Sequence, residues 1–294
     1  MLVLENLAEL VGKYSEDLKS EVASFKIRQQ SFDASKTQMM GVVNLSADSW
    51  YRESVCLSID QAIQRGKRLA IEGALIIDVG AESTILNAER VSSEAQSSQL
   101  VPVIQELNEA GILVSVETYH DAVTKACLNS GAAVLNLTSS VGDESLFKTL
   151  SDYEAGVIIC YVQGEHVRSV NDFILSDDHT DVLYDYFAKQ IELATKCGVE
   201  RIWIDPGLGF YYANLQDGKK RIQYQMKTFL ETFRLRKLGW PVCHALPHAF
   251  DFFGEEVRTA ESFFAVLALL GKTNLLRTHE VAKVKAVLES MECY

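Results

Sequence analysis

Polar residues that can recognise a heterocycle stand at the ends of eight short apolar runs in this chain. Asparagine and carboxylate side chains together can pair with the donors and acceptors on the edge of an aminopyrimidinone-like ring. Any one of these residues is equally well explained as a helix cap or a loop tether. Because all eight runs end in this way, capping alone is a poor explanation, and the pattern predicts a binding site. In chain order the residues are Asn44, Asp78, Glu117, Asn136, Tyr161 with Gln163, Asp205, His244, and Arg277 with His279.

The last run ends in two basic side chains, Arg277 and His279. Because they are two positions apart on a strand, they point to the same side. Arginine and histidine bind phosphate oxygens through charge-assisted hydrogen bonds, and (β/α)8 barrels often bind phosphate groups beside their last two strands. The pair therefore predicts a site for a phosphate group.

The sequence DPGLGF, residues 205–210, follows the sixth run. Its glycines allow a tight turn and a close approach of the backbone to a ligand, with Asp205 at the strand end. The alternative is a plain turn with a helix-capping aspartate, so this motif supports a site only together with the others.

Two other groups of polar residues are not interpreted as sites. His244, His248 and His279 lack a partner histidine or carboxylate at helical spacing, so the sequence predicts no transition-metal centre from them. The basic residues of 219–237 are interpreted as a solvated helix face rather than a binding patch.

The eight apolar runs alternate with stretches of helical periodicity. Each run is short, rich in Val and Ile and continuously apolar, which is typical of a strand buried on both faces. Eight strand–helix units over about 250 residues predict a closed (β/α)8 TIM barrel. An open doubly wound sheet is the competing fold, but it usually has fewer units and a Gly-rich phosphate loop after its first strand. The predicted strands are QMMGVV, ALIIDVG, ILVSVE, AVLNL, GVIICYV, RIWIDPG, WPVCHAL and TNLLRTH, and the predicted helices are 58–72, 91–110, 120–130, 143–152, 180–197, 219–237, 257–271 and 280–291.

Residues 1–36 precede this pattern. Apolar residues recur at helical spacing between Leu2 and Tyr14, which predicts one amphipathic helix followed by a polar hinge. The predicted organisation is an N-terminal helical extension, 1–36, and a barrel, 37–294.

The composition excludes several classes of function. The net charge of −12 argues against a nucleic-acid or anionic-membrane partner. No apolar run approaches the roughly 20 residues that span a bilayer, and the N-terminus does not have the pattern of a signal peptide. Six cysteines are scattered without a CxxC pair, which indicates reduced thiols in a cytoplasmic protein.

Several segments resemble, in order, the motifs of the dihydropteroate synthase family of pterin-binding barrels. The likeness covers about residues 38–290, with one motif for each strand, and such a series is more specific than any single motif. The segments are MGVVNLSADSW (40–50), GALIIDVGAEST (73–84), ILVSVETYHDAVTKACLNSGAAVLNL (112–137), VQG (162–164), DPGLGF (205–210) and LRTHEV (276–281).

The resemblance implies a reaction and a role for each matching residue. In the family, an arylamine such as p-aminobenzoate attacks a dihydropterin-CH2-diphosphate, and pyrophosphate leaves with the help of Mg²⁺. The resemblance further implies a homodimer formed through the last helices, which the apolar segment ESFFAVLALL would suit. The implied roles are Asn44, Arg277 and His279 for the diphosphate, Asn44 also for Mg²⁺, Glu117, Asn136 and Asp205 for the pterin, Thr84 and His248 for the acceptor side, and Asp205, Arg277 and His279 for catalysis.

The chain also departs from the family pattern. The family's strand-seven ending SRKSF reads LPHAF here, so the segment has neither the lysine that contacts the pterin nor the arginine. Further changes are Ile85 after EST, Leu137 in place of aspartate, and Tyr211 with Tyr212 after DPGLGF. Two alternatives therefore stay open: a non-catalytic or regulatory paralogue that binds the pterin or the diphosphate without turnover, and a folate-dependent methyltransferase on the related barrel.

Overall fold

The strands and helices follow the predicted alternation. A computed structural model describes residues 1–46, 48, 54–83, 88–139, 142–170, 172–174, 176, 178–210, 212, 215 and 217–294. The strands are β1 (Phe25–Ile27), β2 (Gln30–Phe32), β3 (Gln38–Asn44), β4 (Ile76–Gly80), β5 (Leu113–Thr118), β6 (Val134–Leu137), β7 (Gly156–Cys160), β8 (Gly164–His166), β9 (Ser169–Val170), β10 (Ile202–Asp205), β11 (Cys243–Ala245) and β12 (Leu275–Thr278). The α-helices are α1 (Leu4–Lys13), α2 (Ile59–Glu72), α3 (Ser93–Glu109), α4 (Asp121–Asn129), α5 (Glu144–Asp152), α6 (His179–Lys196), α7 (Gly218–Glu231), α8 (Phe250–Phe253), α9 (Ala260–Leu270) and α10 (Val281–Glu292).

Eight of these strands form a parallel barrel. Their order is β10, β7, β6, β5, β4, β3, β12, β11, and every neighbouring pair is parallel. The two outer strands meet where Ile204 N donates to Pro241 O at 3.1 Å, just before β11 begins. The predicted (β/α)8 barrel is confirmed, and each of its eight strands lies within one of the predicted apolar runs or extends it by one residue.

Continuous apolar strands supply two separate hydrophobic layers. Met40, Ile76 and Ile158 point into the barrel, and their neighbours Met39, Ile77 and Ile159 point out toward the helices. Because successive strand residues face opposite sides, a strand that packs on both sides must be apolar at every position. No helix in the described part of the chain is long and apolar enough to cross a membrane.

The N-terminal end of the barrel is covered by a hairpin that was not predicted. The expectation of one helix and a polar hinge for 1–36 is correct for α1 but wrong for residues 25–32, which form the antiparallel pair β1–β2. Phe25 and Phe32 pack edge-on against Trp203, with ring centroids 4.7 and 4.9 Å away. Three-residue strands are too short to give a recognisable alternation. The domain boundary at residue 36 stays a prediction.

Side-chain caps fix where the helices begin after the strand ends. Ser58, Ser92, Asp143 and Asp217 each accept a backbone N–H from the first turn of the following helix. Each such cap contributes about 1 kcal/mol. These four helices follow β3, β4, β6 and β10, so the connections from those four strands end at a capped helix.

Candidate functional site

One cavity at the C-terminal end of the barrel brings the predicted residues together. Its wall includes residues from all eight strand–loop units, and Phe210, Leu246 and Phe250 make part of it apolar. Thr84, predicted for the acceptor side, lies outside the described residues. The other seven predicted site residues all line the cavity, namely Asn44, Glu117, Asn136, Asp205, His248, Arg277 and His279.

The floor of this cavity is a network of charges centred on Arg277. Its Nε donates to Asp78 Oδ2 at 2.7 Å, and its Nη2 donates to Glu117 Oε2. Asp78 is 1% exposed, so the guanidinium is drawn into the barrel rather than out toward the loops. The side chain of Arg277 thus joins the ends of β4, β5 and β12.

Asn136 and Asp205 complete this floor. Asn136 Nδ2 donates to Asp78 Oδ2 at 3.0 Å, and its Oδ1 accepts from the Cys160 thiol at 3.3 Å. Asp205 Oδ1 accepts from Gly207 N at 2.8 Å. Gly207 has φ +76°, and a Cβ there would lie 2.2 Å from Tyr161 O, so this turn requires glycine. We refer to Asp78, Glu117, Asn136, Asp205 and Arg277 as the cavity floor.

The cavity floor has more carboxylates than cations. Burial raises the pKa of Asp205 to about 6 and raises the pKa of Glu117 above its ordinary value. Burial alone lowers the pKa of Arg277, but the carboxylates of Glu117 and Asp78 outweigh it and the net pKa is raised. Asp78 Oδ1 is buried and accepts no hydrogen bond from the described residues. An excess of buried acceptors suits a ligand edge rich in N–H donors.

The wall of the cavity holds a second cluster, His248, Glu261 and His279. Glu261 Oε1 lies 3.1 Å from His248 Nε2 and 2.8 Å from His279 Nδ1. Glu261 Oε2 accepts from Thr278 Oγ1 and from the backbone N–H of Glu280. Both imidazoles line the cavity, and the carboxylate stands behind them. We refer to the three residues as the wall cluster.

The wall cluster combines an ionised carboxylate with two imidazoles. Burial opposes the charge of Glu261, but the hydrogen bonds from His248 and His279 outweigh it and hold its pKa well below the usual range. Burial lowers the pKa of His279 to about 4. Because an ionised carboxylate can only accept, both imidazoles donate an N–H group to Glu261. The geometry of the three residues is also close to that of a metal-binding set.

The sequence analysis missed Asp78 as a site residue and missed Glu261 altogether. Asp78 was recognised as a strand-end polar residue, but nothing nearby in the sequence pointed to its partner. Glu261 begins the apolar segment ESFFAVLALL, where an acid at a helix start looks like an ordinary first-turn residue. Only its complete burial sets it apart.

The two residues of the predicted basic pair lie together, whereas the predicted solvated helix face needs revision. Arg277 and His279 line one cavity, and each is bonded to a carboxylate. On the helix, Arg221 lines the cavity and pairs with Asp251 at 2.5 Å, and Arg234 is 4% exposed. His244 is buried beside Thr232 Oγ1, at 2.7 Å, and does not join the other histidines.

A second buried arginine, Arg168, holds the loop on the predicted acceptor side. Its guanidinium donates to Ser83 O at 2.9 Å and to Ala88 O at 2.5 Å. These two carbonyls flank residues 84–87, which include Thr84 and lie outside the described residues. Arg168 follows β8, so the β8–β9 hairpin holds the backbone at Ser83 and Ala88.

Comparisons with known proteins agree with this geometry. The family described as pterin binding enzyme matches residues 40–261. A dihydropteroate synthase of Staphylococcus haemolyticus is 32% identical over 203 residues, which are 67% of this chain and 71% of that protein. A dihydropteroate synthase of Bacillus subtilis is 28% identical over 270 residues, 87% of this chain and 88% of that protein. Among solved structures, Burkholderia cenocepacia dihydropteroate synthase complexed with 7,8-dihydropteroate superimposes with TM-score 0.77 at 22% identity, covering 92% of this chain and 96% of that one.

Proposed function

The chain belongs to the family of pterin-binding enzymes, and we propose that it is a dihydropteroate synthase-type transferase of folate biosynthesis. The reaction joins a 7,8-dihydropterin-CH2-diphosphate to an arylamine. The amine nitrogen bonds to the methylene carbon, the bond from that carbon to the diphosphate oxygen breaks, pyrophosphate leaves, and the amine nitrogen gives up one proton to solvent. The acceptor is p-aminobenzoate or a related arylamine.

One observation carries this proposal: the cavity floor presents amide and carboxylate groups from four strands to a single ligand edge. Asn136 offers its amide, and Asp205 and Glu117 offer carboxylates. A 2-amino-4-oxo-pyrimidine ring has two or three N–H donors on one edge, and it pairs with acceptors of this kind. These three residues are assigned to the pterin.

The same floor assists the chemical step electrostatically. As the diphosphate departs, positive charge develops on the pterin methylene, and the carboxylates of Asp205 and Glu117 stabilise it. Arg277 and His279 line the same cavity and are assigned to the diphosphate. When the diphosphate binds, its oxygens would accept hydrogen bonds from the Arg277 N–H groups that are bonded to Asp78 and Glu117 in the free protein. Asp205, Arg277 and His279 are the catalytic residues of this proposal.

Mg²⁺ is the cofactor that this chemistry requires, and Asn44 is the residue assigned to it. Asn44 Nδ2 donates to Ser54 Oγ at 2.6 Å, which assigns the other amide atom as the hard oxygen that Mg²⁺ prefers. The ion takes few protein ligands when substrate phosphates supply the rest, so one amide oxygen at the cavity rim fits it. When bound, it neutralises charge on the leaving pyrophosphate.

The two alternative functions are not favoured. The curated relatives are dihydropteroate synthases, and the cavity retains both a pterin-type floor and basic residues at one rim. A folate-dependent methyltransferase has no use for a diphosphate site. A binding protein without turnover has no use for a leaving-group site.

Homodimer formation and a cytoplasmic location complete the proposal. Helix α9 packs most of its apolar face against α7 and α10, but Phe263 and Leu270 are 38% and 46% exposed. A second copy of the chain would cover these two exposed apolar side chains. The net charge of −12 and the six free cysteines suit a reducing compartment without a nucleic-acid or membrane partner.

The proposal is tested by titrating the purified protein with dihydropterin diphosphate, with and without Mg²⁺ and p-aminobenzoate, while pyrophosphate release is followed. Release that depends on both Mg²⁺ and the arylamine is expected. Mg²⁺-dependent binding without release would instead identify a non-catalytic binder. Binding of methyl-tetrahydrofolate but not of the diphosphate would identify a methyltransferase.

A further inference from the structure

The wall cluster gathers three metal-ligating side chains from separate elements. Glu261 lies in α9, His248 follows β11 and His279 follows β12. Their ligand atoms all lie within 4.8 Å of one another. We propose that His248, Glu261 and His279 bind one divalent transition-metal ion of the imidazole-preferring class, such as Zn²⁺.

The donor set and its spacing support this site. Two imidazoles and one carboxylate are the ligands of many catalytic zinc centres and of mononuclear iron centres. Zinc–ligand bonds of about 2.0–2.2 Å place neighbouring ligands of one ion about 3.0–3.5 Å apart. Glu261 Oε1 lies 3.1 and 2.8 Å from the two ring nitrogens. Side-chain shifts of a few tenths of an ångström would admit the ion.

The carboxylate is already oriented for such a role. Its Oε2 accepts from Thr278 Oγ1, from His279 N at 3.0 Å and from Glu280 N at 3.2 Å. These bonds direct the other oxygen, Oε1, toward both imidazoles. Outer hydrogen bonds of this kind hold the ligands of a metal site in place.

The charge of the wall cluster also calls for a cation. Glu261 has no exposed surface, and its recorded partners are imidazoles, a hydroxyl and backbone N–H groups. In the described part of the chain, no lysine or arginine lies within ion-pair distance of it. A buried carboxylate is costly unless a positive charge is near, and a divalent ion would supply that charge.

The site differs in place and chemistry from the Mg²⁺ position assigned to Asn44. Mg²⁺ prefers oxygen ligands, and imidazole nitrogen selects zinc, iron or nickel. His248 and His279 line the cavity, so an ion held by them would lie beside it. There the ion would polarise a phosphate oxygen or a water molecule. Only this last consequence rests on the proposed function.

Metal binding is tested without substrate, so a failure of the proposed synthase activity does not affect the result. Chelator-treated protein is dialysed against Zn²⁺ and analysed for metal, and Co²⁺ is added in parallel to follow its visible d–d bands. One equivalent per chain and intense Co²⁺ bands are expected. Absence of both in the wild-type protein overturns the site and leaves the wall cluster as a hydrogen-bonded set.

Variants assign the ligands. His248→Ala and Glu261→Gln should bind Zn²⁺ at least about 100-fold more weakly, since loss of a mere outer-shell partner costs about 10–100-fold. His248 is 13% exposed and lies in a loop, so His248→Ala should disturb the fold less than Glu261→Gln. If Glu261→Gln does not fold, His248→Ala alone still tests whether the cluster binds Zn²⁺. Cys293→Ser removes the one exposed thiol and should bind normally. Binding that survives His248→Ala but disappears in Cys293→Ser would overturn the proposal.

Discussion

The two ends of the barrel are built from opposite kinds of side chain. At the N-terminal end, Phe25, Ile27 and Phe32 of the hairpin close the barrel against Trp203. At the C-terminal end, the cavity floor and the wall cluster bury charged groups. The apolar end gains free energy of folding from burial, whereas each buried charge at the other end costs free energy unless it is paired.

This difference predicts that stability depends mainly on the N-terminal end of the barrel and ligand binding on the C-terminal end. Substitutions in the hairpin should lower stability and leave the chemistry intact. Substitutions in the cavity floor should impair ligand binding, and some should even stabilise the fold, because the floor holds more carboxylates than cations.

The largest effect is expected from Arg277→Ala, which removes the cation of the cavity floor. Truncating one partner of a buried charged contact to a ligand costs about 2–5 kcal/mol of binding free energy, so binding of the pterin diphosphate should weaken by about 30-fold or more. A bare pterin should lose much less. Calorimetric titration with both ligands measures the two losses of affinity. Arg277→Lys retains the charge without the bidentate contact, and its affinity for the pterin diphosphate should be intermediate. Equal losses for both ligands would contradict the division of the cavity.

A smaller effect, on stability alone, is expected from Ile27→Ala in the hairpin. Ile27 is 1% exposed, and truncating a buried isoleucine to alanine costs about 2–4 kcal/mol. The urea midpoint should fall while KM and kcat stay unchanged. Leu4→Ala, at a residue that is 79% exposed, is the matched control and should change neither. A change in KM for Ile27→Ala would show that the two ends are coupled.

Asp205→Asn should reveal the cost of charge in the cavity floor. Burial raises the pKa of Asp205 to about 6 from 3.8, so the folded state binds a proton more tightly than the unfolded state. This contribution to stability is present at low pH and is lost as the pH rises from about 4 past 6. At pH 7 the variant should be more stable than the wild type by about 1–3 kcal/mol, with weaker pterin binding, and the gap should close near pH 4.

Urea unfolding across this pH range measures the gap. Asp152→Asn, an exposed carboxyl remote from the cavity, should show no such pH-dependent difference. A variant that is less stable than the wild type at every pH would mean that the Asp205 carboxylate stabilises the free protein.

The smallest effect is expected at the N-terminal segment. Tyr14 packs its ring under Arg234 at 4.1 Å and donates its hydroxyl to Asp178 at 3.3 Å, and α1 itself has no buried residue. Tyr14→Ala should lower stability by about 1–2 kcal/mol, because the cation–π contact joins a buried guanidinium to a half-buried ring, with faster amide exchange in α1. Activity should not change. A loss above about 2 kcal/mol would mean that the barrel depends on this segment.

The sequence by itself was sufficient to predict the barrel and residues that line its cavity. Continuous apolar runs are required of strands buried on both faces, so all eight barrel strands could be recognised locally. Because the C-terminal ends of parallel strands meet at one end of a barrel, polar residues at those ends had to converge. Asn44, Glu117 and Asn136 could therefore be assigned to one site before any contact was known.

Only the tertiary structure decided which of these residues are partners. Arg277 bonds to Asp78 and Glu117, which precede it by 199 and 160 residues, and no local pattern encodes such a pair. Glu261 was recognisable only by its burial beside His279. The spacing of two residues along the chain predicts whether their side chains point to the same side of a helix or strand. The free-energy cost of burying a charged side chain depends instead on which groups lie opposite it in the cavity. That cost is set by packing, and it decided how the two ends of this barrel differ.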